Sequence, residues 1–115
     1  MKLAVIYGTR PEATKLSALI PLLDHPLVVR TGQHQELADG ILTPTVCLHL
    51  PSENDPLRYA HLAGVALEHL LKRERPDAVI VQGDTASAYA GALAAEFLGI
   101  PVAHVEAGLR TGNLE

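Results

Sequence analysis

Three short apolar runs in this chain each end abruptly in a cluster of small and charged residues. The run at 2–7, KLAVIY, leads into Gly8-Thr9-Arg10-Pro11-Glu12; AVIV leads into Gln82-Gly83-Asp84-Thr85; and VAHV leads into Glu106-Ala107-Gly108-Leu109-Arg110-Thr111. Runs this short and this continuously apolar suit strands covered on both faces, which is the condition of a parallel sheet. Parallel strands would send all three clusters off the same edge, where α/β proteins place their ligands. The pattern therefore predicts a composite site in which an anion-binding arginine and two carboxylates converge.

Strand-type runs fall at 2–7, 27–31, 46–50, 78–82 and 102–106. Helical stretches separate them. The first opens at Pro11, which suits a first helical turn because its φ is preset, and is expected to reach 24 with Pro21 as a kink. The clearest is 56–74, with Asp55 as N-cap, an apolar stripe of Ala60, Ala63, Leu67, Leu70 and Leu71, and Glu68 four residues before Lys72. An alanine-rich helix at 85–98 stops at Gly99-Ile100-Pro101, and a weaker one is expected at 35–41. Strand and helix thus alternate as right-handed crossovers require, and the expected fold is α/β, a Rossmann-like doubly wound parallel sheet. In its usual strand order the first and fourth strands flank the switch point and the fifth lies beside the fourth, so Arg10, Asp84 and Glu106 share one crevice. With no repeat, low-complexity tract or Gly/Ser linker, 1–115 reads as a single domain.

Composition narrows the function. With 115 residues, 48% hydrophobic and a net charge of -4, one core is within reach, and the mildly acidic balance without a Lys/Arg block argues against nucleic acid as the main partner. No apolar stretch approaches the roughly 20 residues of a membrane span, and charged residues follow the first apolar run at once, unlike a signal peptide. The expected location is cytoplasmic. The single cysteine, Cys47, excludes an internal disulfide and, lying in an apolar run, is expected to be a buried structural thiol.

In the first cluster, Gly8 permits a tight exit from the strand, the following helix offers free N–H groups, and Arg10 adds a forked cation suited to phosphate oxygens. Lys15, about one turn further, is a second candidate for the same ligand. The plainer alternative is a surface loop in which Arg10 pairs with Glu12. Neither a Walker loop nor Gly-x-Gly-x-x-Gly follows any strand, which disfavours ATP hydrolysis and nicotinamide binding. Asp84 either caps the next helix or does chemistry; Glu106 has no obvious helix to cap, although Arg110 can neutralise it. Two carboxylates in one crevice can divide acid and base roles. The six histidines form no metal-ligand pattern; His34, beside Gln33, is the one placed at the same sheet edge.

Taken together, Gly8-Thr9-Arg10-Pro11-Glu12-Ala13-Thr14-Lys15, Thr31-Gly32-Gln33-His34, Gln82-Gly83-Asp84-Thr85 and His104-Val105-Glu106-Ala107-Gly108-Leu109-Arg110-Thr111 closely resemble the non-hydrolysing UDP-N-acetylglucosamine 2-epimerases. The resemblance spans the chain and rests on four linked motifs. It implies the N-terminal part of a GT-B-like two-domain fold with the substrate between domains, and interconversion of UDP-GlcNAc and UDP-ManNAc through elimination of UDP to 2-acetamidoglucal. It also implies catalytic roles for Asp84 and Glu106, diphosphate binding by Arg10 with Lys15 in the same pocket, and a regulatory UDP-GlcNAc site at Gln33 and His34. No cofactor or metal is implied, and a homodimer is implied at full length. Thr14 and Gln82 depart from the more usual isoleucine and histidine. Family chains are much longer, and the resemblance places the segment with a third carboxylate and the second domain that supplies a histidine beyond the part of the family pattern found in 1–115. The chain is therefore expected to be an incomplete domain, inactive by itself. The competing expectations are a hydrolysing 2-epimerase that releases free ManNAc, and a non-catalytic module that binds nucleotide sugars or associates with itself.

Overall fold

Side chains alternate across five parallel strands, and the alternation divides the core in two. A computed structural model describes residues 1–8, 10–31, 45–48, 50, 54–82 and 86–105, with 10 and 11 described by their backbone. The strands are β1 (Leu3–Tyr7), β2 (Leu27–Arg30), β3 (Val46–Cys47), β4 (Ala78–Gln82) and β5 (Val102–Val105), ordered β3-β2-β1-β4-β5. All four pairings are parallel. Three α-helices lie among the described residues: α1 (Arg10–Leu16), α2 (Pro56–Glu74) and α3 (Ala86–Phe97). The Rossmann-like order expected from the sequence is the one observed, with β1 and β4 adjacent at the centre and β5 outside β4.

On one face Ala4, Ile6, Leu27, Val29, Val79 and Val81 pack against Tyr59, Ala63, Leu67, Leu70 and Leu71 of α2 and the alanines of α3. On the other, Val5, Tyr7, Val28 and Ile80 pack against Ala13 and Leu16 of α1. Large side chains such as Ile6, Leu67 and Leu71 each contribute about 1.5–3 kcal/mol by leaving water. Small residues let α3 sit close: a Cβ on Gly91 would lie 3.1 Å from Ile6 Cδ1 and 3.2 Å from Val81 Cγ1.

The signals at the ends of α2 hold. Asp55 accepts a hydrogen bond from the Leu57 N–H at 3.0 Å, and Pro56 occupies the first turn. Arg75 ends the helix in the left-handed region at φ 52, donating its N–H to the Leu71 carbonyl at 2.8 Å. Tyr59 joins the buried stripe in the place expected for Ala60, which is half-buried. The expected Glu68–Lys72 pair does not form among the described residues, in keeping with the small gain of such an exposed pair in water.

The first helix is shorter than expected. It ends at Leu16, and Pro21 lies in a separate 3-10 turn, Ile20–Leu22. The chain leaves the α-helix before it reaches Pro21: the Leu19 N–H donates to the Leu16 carbonyl at 2.9 Å in a tightened turn, and Pro21 sits at the start of the 3-10 turn, where its missing N–H costs little. Strands β2 and β3 are also shorter than the runs at 27–31 and 46–50.

At the N-terminal edge Lys2 ties β1 to the start of β4. Its N–H donates to Asp77 Oδ2 at 2.6 Å, and its Nζ lies 2.9 Å from Glu74 Oε1. That hydrogen bond and charge hold the Glu74 carboxyl below its usual range. The tie fixes the register of the central strands from the side opposite the candidate site.

Candidate active site

Strands β1, β2, β4 and β5 all end at one edge, and their last described residues set the frame of the site. Tyr7 lies opposite Arg30, Gln82 lies opposite Val105, and the Thr31 N–H continues the ladder to the Tyr7 carbonyl at 3.0 Å. Arg10 opens α1 two residues beyond Gly8, where its backbone places it at this edge. Lys15 is exposed in the last turn of α1, five residues and therefore about 140° around the helix from Arg10. Asp84, Glu106, Gln33 and His34 lie outside the described residues; the strands that lead to them, β4, β5 and β2, end at this same edge.

The exit turn of β1 is held from two sides. The Gly8 N–H donates to Glu12 Oε1 at 2.7 Å, and Glu12 is only 2% exposed. Glu12 thus acts as an internal clamp that closes the turn into α1, a use of the carboxylate that its place beside Arg10 in the sequence did not suggest. On the opposite side Gly8 rests against hydroxyls: a Cβ there would overlap Ser87 Oγ and lie 2.7 Å from Thr31 Oγ1. Thr31 Oγ1 in turn lies 3.0 Å from Ser87 Oγ and 2.5 Å from the Tyr59 hydroxyl. Glycine is required here by the closeness of the neighbours.

On the α1 face a second polar row crosses the sheet. Tyr7, Arg30 and Cys47 are register partners on β1, β2 and β3, and Arg30 is 6% exposed. Arg30 Nη2 donates to Cys47 Sγ at 3.1 Å. The Tyr7 hydroxyl is buried and has no hydrogen-bond partner among the described residues. Burial pushes the Tyr7 phenol above its ordinary value, and the nearby Arg30 charge opposes part of that rise. Cys47 is half-buried, less enclosed than expected, because it lies on β3 at the edge of the sheet. The signal for this row was a charged residue closing the apolar run LVVR. For the hydroxyls, Ser87 and Tyr59 carry no motif of their own, and only register and helix packing bring them to Thr31.

Residues 23–115 match the protein-family model described as UDP-N-acetylglucosamine 2-epimerase. The chain belongs to that epimerase family. Similar relatives are the UDP-N-acetylglucosamine 2-epimerases of Methanocaldococcus jannaschii, 42% identical over 96% of this chain and 33% of the relative, and of Bacillus subtilis, 40% identical over 98% and 33%. Among solved structures, the Neisseria meningitidis UDP-GlcNAc 2-epimerase bound to UDP-GlcNAc superposes with a TM-score of 0.86 at 34% identity, covering 99% of this chain and 34% of that one. The Methanocaldococcus jannaschii enzyme in complex with UDP-GlcNAc and UDP gives 0.79 at 38% identity, covering 98% and 34%. This epimerase-family chain therefore spans about a third of the length of the relatives it matches, as part of one domain of a GT-B-like fold would. No helix among the described residues is long and apolar enough to cross a membrane.

Proposed function

We propose that the protein carrying this chain interconverts UDP-GlcNAc and UDP-ManNAc. The observation that carries the reading is the common edge at which β1, β4 and β5 end, with Arg10, Asp84 and Glu106 following those strands in a chain of this family. Relatives bound to UDP-GlcNAc and to UDP support the ligand class.

In the proposed reaction a carboxylate takes the C2 proton as the C1–O bond breaks, its electron pair leaving with the β-phosphate oxygen of UDP. A C1–C2 double bond forms, giving 2-acetamidoglucal. Re-addition of UDP with proton delivery to the other face of C2 completes the epimerisation. The transition state has oxocarbenium character, so Asp84 and Glu106 can both stabilise positive charge and move the proton. Arg10 stabilises charge on the departing diphosphate, with Lys15 as a second cation of that pocket. Gln33 and His34 form a second, regulatory site for UDP-GlcNAc. The reaction needs no cofactor, and the expected setting is the cytoplasm.

The protein is proposed to act as a homodimer. Val65 of α2 and Leu93 and Phe97 of α3 expose apolar surface around a groove that also holds His61, Glu68 and Glu96. A two-fold axis through this face would bring the same apolar residues of both copies together.

The deciding experiment is turnover of UDP-GlcNAc in deuterated water by the intact protein. Deuterium at C2 of UDP-ManNAc supports the proposal; free ManNAc would assign a hydrolysing enzyme, and absence of both would reject epimerisation. The 115-residue segment alone is expected to be silent.

A further inference from the structure

Three hydroxyls from three distant parts of the chain meet beneath the exit of β1. Tyr59 comes from α2, Thr31 follows β2, and Ser87 lies in the first turn of α3; none is more than 3% exposed. Thr31 Oγ1 stands between the others, 2.5 Å from Tyr59 and 3.0 Å from Ser87. Three hydroxyls own three protons, and the two hydrogen bonds among them use two, so one proton is left over. A phenol is a stronger donor than an alcohol, which favours the direction Tyr59 to Thr31 to Ser87 and leaves the Ser87 proton at the end nearest Gly8.

That end touches the turn that leads to Arg10. Gly8 has no room for a Cβ against Ser87 Oγ or Thr31 Oγ1, and its N–H is fixed by Glu12. The turn is therefore seated between a carboxylate clamp and a hydroxyl support. The support itself is anchored to α2 and α3, so the position of Gly8 depends on where three separate elements hold their hydroxyls.

We propose that Tyr59, Thr31 and Ser87 are positioning residues for the anion-binding turn that begins at Gly8, fixing where Arg10 meets the diphosphate of a nucleotide ligand. The inference rests on the nucleotide reading of this sheet edge given above. Near-isosteric replacements that delete only the hydroxyls would preserve a position set by shape; they would not preserve one set by hydrogen bonds.

The test uses the intact protein with Thr31→Val, Tyr59→Phe and Ser87→Ala, and Thr31→Ser as the conservative variant. UDP affinity is measured by calorimetry, and hydrogen exchange is measured in the peptide containing Gly8 and Glu12. Thr31→Val is expected to weaken UDP binding about three- to tenfold, the scale of one hydrogen bond, and to speed exchange in that peptide by a similar factor. Thr31→Ser should restore both to within about twofold of the parent. Should Thr31→Val fail to fold, Tyr59→Phe and Ser87→Ala are expected to give the same two changes at smaller size. UDP affinity and exchange both unchanged in the folded variants would overturn the proposal. A parent that does not bind UDP would instead overturn the nucleotide reading, and exchange at Gly8 alone would then decide whether the hydroxyls seat the turn.

Discussion

Gly8→Ala is the sharpest probe of this architecture because its cost can be traced to particular atoms. The new methyl would overlap Ser87 Oγ and would lie 2.8 Å from Ser87 Cβ and 2.7 Å from Thr31 Oγ1. The Oγ can be rotated away only by breaking its bond to Thr31, and the Cβ is carried on the backbone of α3, so the helix or the turn must move. Overpacking of a rigid site costs about 1–3 kcal/mol, and loss of one or two buried hydrogen bonds adds about 0.5–1.5 kcal/mol each, giving roughly 1.5–6 kcal/mol. The same substitution should cost less in a Ser87→Ala background, where the conflicts with the residue 87 Cβ and Thr31 Oγ1 remain, and least with Ser87→Gly, which leaves only the contact with Thr31 Oγ1. Ser87→Gly itself costs about 1 kcal/mol as a glycine within a helix. Urea unfolding of the single and double variants gives the coupling energy, expected at about 1–3 kcal/mol for the Gly8–Ser87 pair. A cost of Gly8→Ala that does not depend on residue 87 would refute the packing account.

Three further outcomes are expected. Tyr7→Phe removes a buried hydroxyl that has no hydrogen-bond partner among the described residues, so stability at neutral pH should change by less than about 1 kcal/mol or rise. Because the folded state raises the Tyr7 phenol above 10.0, its contribution is intact below that pH and is lost as pH climbs above it; Tyr7→Phe should flatten the alkaline fall in urea stability, and an unchanged profile would contradict this. Asp55→Ala removes the cap on Leu57 and should cost about 1 kcal/mol by the same unfolding assay, whereas no change would deny the cap a role. Asp84→Asn and Glu106→Gln in the intact protein should suppress C2 deuterium exchange while leaving UDP binding largely in place, and near-normal exchange in both would remove them from the chemistry.

Much of the fold was legible because burial on both faces leaves a plain mark. Continuous apolar runs located β4 to the residue, and a cap, a proline and a glycine marked the limits of α2 and α3. The first helix was misjudged where Pro21 suggested a kink within it, because the chain leaves the helix after Leu16, before the proline is reached. Charge at a strand's end is conspicuous, which is why Arg10, Asp84 and Glu106 could be named from sequence; the structure brings the ends of β1, β4 and β5, which precede them, to one edge. The supports of that edge could not be named in this way. Glu12 reads as a surface partner for Arg10 until burial turns it toward Gly8, and Arg30 reads as the end of a strand until register sets it between Tyr7 and Cys47. Ser87 and Tyr59 are ordinary helix residues in sequence; only the crossing of two helices over β1 and β2 gives them a common neighbour in Thr31.

The central position of β1 has a consequence in time. It pairs with β2, which follows it after one short helix, and with β4, which begins only at Ala78. During synthesis the first strand and its neighbour can meet early, yet one side of β1 keeps its backbone groups unpaired until the chain has passed Gln82. Loop-closure entropy grows with the length of chain between partners, so that second pairing carries the larger entropic cost. Lys2, which grips Glu74 and Asp77, then acts as the latch on the last central contact to form, so the beginning of the chain waits on residues that emerge long after it.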